Sequence, residues 1–125
     1  MSLDLFGRPA LLFLPASRPG AIARARGSAA DIVILDLEDA VKAEDKETAR
    51  AAAVAAVAEP WSIPVGVRIN VTADGVPSAE DCDALAESRV DFVVLPKADG
   101  GIEELARITG KPVLAMIETP SGVLN

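Results

Sequence analysis

The chain has 125 residues, half of them hydrophobic, with 12 basic and 19 acidic side chains and a formal net charge of −7. This composition allows one domain with a substantial core and argues against disorder. The acidic balance and the few aromatic residues argue against nucleic-acid binding, which needs clustered cations and stacking platforms.

The same composition bears on the compartment. Cys82 is the one cysteine, so no intrachain disulfide can form, which fits a reducing cytoplasm. The N-terminus has no secretory pattern, and no apolar run approaches the ~20 residues that would span a bilayer. We therefore expect a cytoplasmic protein without a membrane contact. Histidine is absent, so a histidine base or metal ligand cannot come from these residues.

Short apolar runs alternate with helix-like segments along the chain. Strands are predicted at 11–15, 32–36, 65–70, 92–97 and 113–118, and helices at 19–27, 43–59, 78–88 and 101–109. The strands are nearly continuous aliphatic runs, which is typical of a parallel sheet buried on both faces. Ser78, with an acidic residue three positions later, is a candidate N-cap of the third helix.

This βαβαβαβαβ order predicts an α/β fold. We interpret it as the N-terminal portion of a (β/α)8 TIM barrel, one partial domain over 1–125 that is truncated after the fifth strand. A complete, open, doubly wound sheet of five strands is the alternative. The first βα turn lacks the G-x-G-x-x-G pattern that dinucleotide binding would require.

Polar side chains follow the predicted strands where each strand ends. Because the carboxyl ends of parallel strands meet at one edge, where ligands bind, these side chains predict a single site. They are Ser17 and Arg18 after the first strand, Asp36, Glu38 and Asp39 after the second, Arg68 in the third, Lys97 after the fourth and Glu118 after the fifth.

Arg68 interrupts an otherwise apolar strand, and a buried guanidinium needs a partner. That partner is either a carboxylate of the chain, at position 36, 38 or 118, or the carboxylate of a substrate held bidentately. The acidic loop, residues 36–39, places three carboxylates within four positions. Such a loop is either solvated, paired with cations or arranged around a metal ion.

The remaining strand-end residues allow two interpretations each. Glu118 is a candidate Mg²⁺ ligand, or it pairs with Lys97. Lys97 either neutralises the carboxylates or forms a Schiff base with a substrate. Ser17 and Arg18 offer an anion contact, which alone is a weak signal. Cys82 is interpreted as a packing residue.

Six motifs in order carry a family resemblance: L-F-L-P-A-S-R-P at 12–19, D-I-V-I-L-D-L-E-D-A-V at 31–41, Lys46 with Ala49-Arg50, V-R-I-N at 67–70, V-L-P-K at 94–97 and I-E-T-P-S-G at 117–122. The chain resembles the citrate lyase beta subunit family. That family lies within the wider group of malyl-CoA and citramalyl-CoA lyases and class II keto-acid aldolases. The resemblance implies a (β/α)8 barrel, Mg²⁺ and reversible carbon–carbon cleavage of hydroxy-acyl thioesters to a keto acid and an acyl thioester.

The resemblance also implies site roles. Arg68 would bind the keto-acid carboxylate and Glu118 would be the first metal carboxylate. Lys97, Ser17 and Arg18 are candidate further substrate contacts because of their place at the strand ends. Asp36 is assigned to catalysis beside Arg68, and Glu38 and Asp39 to holding metal-bound water or tuning the site. A second metal carboxylate is expected beyond Asn125.

Partners and alternatives follow from the same resemblance. The expected partners are a keto acid and a thioester of CoA or an acyl carrier protein, and relatives are commonly homo-oligomers, often trimers. Related class II pyruvate aldolases, the first alternative, carry a histidine where this chain has Asp39. That difference favours the lyase branch. The second alternative is a non-catalytic half-barrel that self-associates through an open strand edge.

Overall fold

A computed structural model describes residues 10–72, 74–96 and 101–116, and it contains the predicted alternation of strands and helices. The strands are β1 (Leu11–Pro15), β2 (Ile32–Asp36), β3 (Val65–Arg68), β4 (Phe92–Pro96) and β5 (Val113–Met116). The helices are α1 (Pro19–Arg26), α2 (Lys46–Ala58), α3 (Ala79–Ala86) and α4 (Ile102–Thr109). Each of these elements matches a predicted one in type and order.

Several helix and strand boundaries differ from the prediction by one to three residues, and two of these differences have a structural cause or a change of helix type. The third strand ends at Arg68 instead of at 70, because the backbone N–H of Asn70 donates to the side chain of Asp81 and leaves the ladder. The segment predicted as a helix from 43 begins with a 3₁₀ turn, Ala43–Asp45, before α2 starts. The predicted strand ends at 97 and at 117–118 lie outside the described residues.

The five strands form one parallel sheet in the order β1-β2-β3-β4-β5. A doubly wound sheet reverses its strand order at a switch point, and this sheet has no reversal. The doubly wound alternative is therefore wrong. Sequential neighbours joined by helical crossovers are the order that a portion of a (β/α)8 barrel has.

The helices cover one face of the sheet, here called the outer face. Its strand residues include Val33, Leu35 and Val67, all fully buried in the main core. Helix α2 contributes the small side chains Ala49 and Ala53, both fully buried, which allow the helix to approach the sheet closely. Cys82 is also buried in this core, as its interpretation as a packing residue predicts.

The opposite, inner face carries a smaller cluster of Ile34, Phe92 and Val94. By strand register this face also carries Leu11, Phe13 and Leu114, which are 53 %, 39 % and 53 % exposed. None of the helices among the described residues is long and apolar enough to cross a membrane.

Replacing Gly66 with alanine is expected to lower the free energy of unfolding by about 1–3 kcal/mol. A Cβ at this position would overlap the Phe92 ring, which lies across the glycine on the inner face. Urea unfolding measures the change. Gly27→Ala is the matched control, because a Cβ at that position meets no other atom. Equal unfolding free energies for the two variants would contradict the packing described for the inner face.

Candidate active site

The last residues of the first three strands lie side by side at one rim of the sheet. The register pairs Pro15 with Asp36 and Asp36 with Arg68, so three strands bring their ends into one row. Asp36 and Arg68 are 32 positions apart in the chain. They are neighbours because β2 and β3 are adjacent in the sheet, rather than through a contact between residues close in the chain.

Arg68 and Asp36 form a bidentate ion pair. Arg68 Nε donates to Asp36 Oδ1 at 2.8 Å, and Arg68 Nη2 donates to Asp36 Oδ2 at 2.7 Å. Both residues are buried, with 7 % and 2 % of their surfaces exposed. Of the partners that the sequence left open for Arg68, the structure shows Asp36 in direct contact.

The Asp36 carboxylate also organises the acidic loop. The backbone N–H of Glu38 donates to Oδ1 at 2.9 Å, and that of Ala40 donates to Oδ2 at 3.0 Å. With the two bonds from Arg68, the carboxylate accepts four hydrogen bonds. Asp36 therefore holds both the guanidinium and the loop that follows β2.

The pair stays ionised around neutral pH. Burial raises the pKa of Asp36, but the hydrogen bonds from Arg68, Glu38 and Ala40 and the charge of Arg68 outweigh it, so the pKa lies below its usual range. The hydrogen bond to Asp36 raises the pKa of Arg68 against the effect of burial. Asp36 is therefore suited to orienting a cation and poorly suited to donating a proton.

Further groups surround the guanidinium. Glu38 Oε1 lies 3.8 Å from Arg68 Nε, and the Phe13 ring centroid lies 5.6 Å from Arg68 Cζ. The charges of Glu38 and Asp39 also raise the pKa of Arg68. One cation thus faces three carboxylates, and this excess of negative charge would oppose an incoming anion unless another cation offsets it.

A cavity of about 380 Å³ opens beside the pair. It is lined by Phe13, Leu14, Pro15, Asp36, Asp39, Ala40 and Arg68. The volume falls in the range of small-molecule sites, and apolar walls with a few charged groups are typical of such sites. A small carboxylic acid fits this cavity in size, and Arg68 can hold its carboxylate once a further cation offsets the surrounding carboxylates.

The other predicted site residues have different positions. Ser17 is half-buried and Arg18 is exposed where β1 leads into α1, and neither is among the described residues of the cavity wall. Lys97 and Glu118 lie outside the described residues. The structure therefore brings together Asp36, Glu38, Asp39 and Arg68 from the predicted set.

The described residues do not by themselves form a metal site. No group of three or more His, Cys, Asp or Glu side chains within the described ranges could hold a metal ion. Asp36 is committed to four hydrogen bonds. Within the described part of the site, Arg68 is the group that can hold a carboxylate, and the predicted metal ligand, Glu118, lies outside the described residues.

The sequence interpretation assigned no site role to Asp81, a fully buried carboxylate of α3 that binds Asn70 and Arg50. One signal was available. Asp81 and Leu85 are four positions apart and share a helix face, and Leu85 belongs to the core. A carboxylate on the apolar face of a helix indicates a buried polar contact.

Comparison with known proteins places these residues in context. Residues 9–125 match the sequence profile of the HpcH/HpaI aldolase/citrate lyase family. A citrate lyase subunit beta-like protein of Mycobacterium tuberculosis is 38 % identical over 116 residues, covering 93 % of this chain and 41 % of that protein. A (3S)-malyl-CoA thioesterase of Cereibacter sphaeroides is 33 % identical over 122 residues, covering 92 % and 42 %.

Solved structures show the same similarity. The M. tuberculosis citrate lyase beta subunit complexed with oxaloacetate and magnesium superimposes with a TM-score of 0.72 at 42 % identity. The match covers 91 % of this chain and 49 % of that one. The chain thus spans less than half the length of these relatives, and its fold corresponds to the N-terminal part of their barrel.

Proposed function

This chain belongs to the HpcH/HpaI aldolase/citrate lyase family, and on that premise we propose that it is part of a Mg²⁺-dependent carbon–carbon lyase. The substrates would be hydroxy-acyl thioesters of the malyl-, citramalyl- or citryl-CoA type. The products would be a keto acid and an acyl thioester. We also infer that residues 1–125 contribute to one barrel domain, which the single continuous sheet supports.

The observation that carries the proposal is the buried Arg68–Asp36 pair beside a cavity of small-molecule size. Arginine is the side chain best suited to hold a carboxylate bidentately. A relative 42 % identical to this chain has been solved with a keto acid, oxaloacetate, and with magnesium. Together these support a keto-acid carboxylate as the ligand of Arg68.

In this proposal each described residue has a physical task. Arg68 donates hydrogen bonds to the substrate carboxylate, and Asp36 fixes the plane of the guanidinium so that the bound carboxylate has one orientation. The Phe13 ring, whose centroid lies 5.6 Å from Arg68 Cζ, adds a cation–π contact to the guanidinium. Burial lowers the local dielectric and strengthens each of these charged interactions.

The proposal of Mg²⁺ is supported by the predicted ligand Glu118 and by a relative solved with magnesium. The described residues alone do not complete a metal site. The three carboxylates around Arg68 favour a nearby cation, since they would otherwise repel an anionic substrate. Asp36 is a poor candidate for the general base, because its pKa is held low by Arg68 and the loop N–H groups. Homo-oligomerisation and a cytoplasmic location stay predictions.

The activity is tested on the gene product that contains these residues. We expect Mg²⁺-dependent cleavage of at least one of malyl-CoA, citramalyl-CoA and citryl-CoA, abolished by EDTA and restored by added Mg²⁺. Product analysis separates the reaction types, because a malyl-CoA lyase releases glyoxylate and acetyl-CoA whereas a thioesterase releases malate and free CoA. Equal turnover with and without EDTA would contradict the proposal. Turnover of free hydroxy-keto acids alone would favour a pyruvate aldolase.

One observation favours a second candidate, the self-associating half-barrel. The inner face exposes Leu11, Phe13 and Leu114, an apolar surface that the lyase proposal places inside a barrel. Self-association predicts a mass that rises with protein concentration and falls on Phe13→Asp substitution. Light scattering measures both. A constant mass together with thioester cleavage would exclude this candidate.

A further inference from the structure

A second buried carboxylate, Asp81, lies in the first turn of α3 and is fully buried. It accepts hydrogen bonds from Arg50 Nε, Asn70 N and Asn70 Nδ2, each at 2.9 Å. Burying a carboxylate is costly unless it is paired. Nothing in the proposed reaction uses Asp81 directly, so its burial needs another explanation.

The local sequence would normally give Asp81 a different partner. Ser78 caps α3, and its Oγ accepts from Asp81 N at 3.2 Å, as predicted. In a capping box the acidic side chain would return to the N–H of the cap residue. Here the N–H of Ser78 donates to Asn70 O at 2.9 Å, and the Asp81 carboxylate binds Asn70 instead. Departures from such local rules concentrate at functional sites.

Asn70 follows Arg68 by two positions at the end of β3. Its backbone N–H, its carbonyl oxygen and its side-chain amide are all held by residues at the start of α3. Because a carboxylate only accepts hydrogen bonds, the Asn70 amide must direct Nδ2 to Asp81, and its orientation is fixed. The position of Asn70, just beyond Arg68, is therefore fixed by hydrogen bonds at its backbone N–H, its carbonyl oxygen and its side-chain amide.

Helix α2 holds the neighbouring strand end as well. Lys46 Nζ donates to the carbonyl oxygens of Leu37 and Glu38 at 3.0 and 2.6 Å. Lys46 and Arg50 are one helical turn apart on α2. One helix thus contacts the acidic loop directly and reaches the end of β3 through Asp81.

We propose that Lys46, Arg50 and Asp81 are positioning residues for the lyase reaction. They fix the ends of β2 and β3 relative to each other, so that the guanidinium of Arg68 meets the substrate carboxylate in the reactive geometry. This inference rests on the proposed function. A displacement of about 1 Å at a reacting group can cost on the order of a hundredfold in rate.

The test compares Lys46→Met and Asp81→Asn in the gene product that contains this chain. We expect each substitution to raise the KM for the thioester by about tenfold or more. The dissociation constant of the protein–oxaloacetate complex, measured in the presence of Mg²⁺, should rise by a similar factor, which is typical when a residue that orients a binding group is removed. Lys46→Arg retains donors for both carbonyls, so it should restore most of the binding. Titration calorimetry and initial rates give the two constants.

Arg26→Met is the matched control. Arg26 donates to the carbonyl oxygens of Ala56 and Pro60, both at 2.7 Å, and thereby ties α1 to the other end of α2, away from the strand ends of the site. If Lys46 and Asp81 only stabilise the fold, all three substitutions will lower the melting temperature and leave the dissociation constant unchanged. That result would overturn the inference.

Arg68→Met separates this failure from a failure of the proposed function. If Arg68→Met abolishes oxaloacetate binding while Lys46→Met and Asp81→Asn bind like Arg26→Met, only the positioning role is wrong. If Arg68→Met binds oxaloacetate normally, the proposed role of Arg68 and the inference built on it are both wrong.

Discussion

Replacing Arg68 with methionine is expected to weaken oxaloacetate binding and to lower kcat/KM for thioester cleavage by at least about a hundredfold, or about 2.7 kcal/mol. The substitution removes the guanidinium that, in the proposed function, holds the substrate carboxylate. Losing one partner of a buried charge pair typically costs about 2–5 kcal/mol. Titration calorimetry with oxaloacetate and Mg²⁺ measures the binding loss directly.

Loss of binding could also follow from unfolding, because Arg68→Met leaves Asp36 buried without its cation. Arg68→Lys controls for this, since it keeps the charge beside Asp36 but cannot match the two-point geometry of a carboxylate. We expect Arg68→Lys to fold with a near-native circular dichroism spectrum and to bind at least about tenfold more weakly than wild type. Wild-type KM and kcat in Arg68→Lys would contradict bidentate recognition.

The second large effect is on stability. Asp36→Ala is expected to lower the free energy of unfolding by about 3–5 kcal/mol, because it leaves the buried charge of Arg68 unmatched by its closest partner. The N–H groups of Glu38 and Ala40 lose their acceptor as well. Urea unfolding measures the loss. Glu104→Ala, which breaks an exposed ion pair with Arg107, is the control and should cost less than about 1 kcal/mol.

A double substitution tests the cause. The double variant Asp36→Ala/Arg68→Met should lose less unfolding free energy than the sum of the two single variants. Each single variant leaves one unpaired charge buried, whereas the double variant leaves neither. Additive losses would contradict a direct pair.

The pH dependence of stability gives an independent check. Since the pKa of Asp36 is lowered on folding, its stabilisation is complete above the pKa of the unfolded carboxyl and is lost as the pH falls through the folded value. Wild type should therefore lose more stability than Asp36→Asn below about pH 4.

Much of the fold follows from local patterns in the sequence. The aliphatic runs are long enough and uniform enough to identify buried parallel strands, and the predicted bounds of β1 and β2 agree with the structure. The end of β3 could not be predicted, because it depends on a contact between Asn70 and Asp81, 11 positions later in the chain. Boundaries set by tertiary contacts leave no local signal.

The site was predictable to a different degree. Arg68 stands out as a charge within an apolar strand, and because parallel strands align their ends, the sequence predicted that it lies near the carboxylates at positions 36, 38 and 118. Which carboxylate pairs with it depends on strand order and register, which bring Asp36 beside it. The helix face that Asp81 shares with Leu85 indicated a buried carboxylate, but its partners Asn70 and Arg50 could not be predicted, because the capping pattern at Ser78 indicates a local contact instead.

A crystal structure of the gene product with Mg²⁺ and oxaloacetate tests the central claim most directly. A carboxylate of oxaloacetate is expected within about 3 Å of the Arg68 guanidinium. Asp36 is expected to hold that guanidinium still, from the end of β2. Oxaloacetate bound away from the carboxyl ends of β1–β3, with Arg68 making no contact to it, would contradict the proposed role of Arg68.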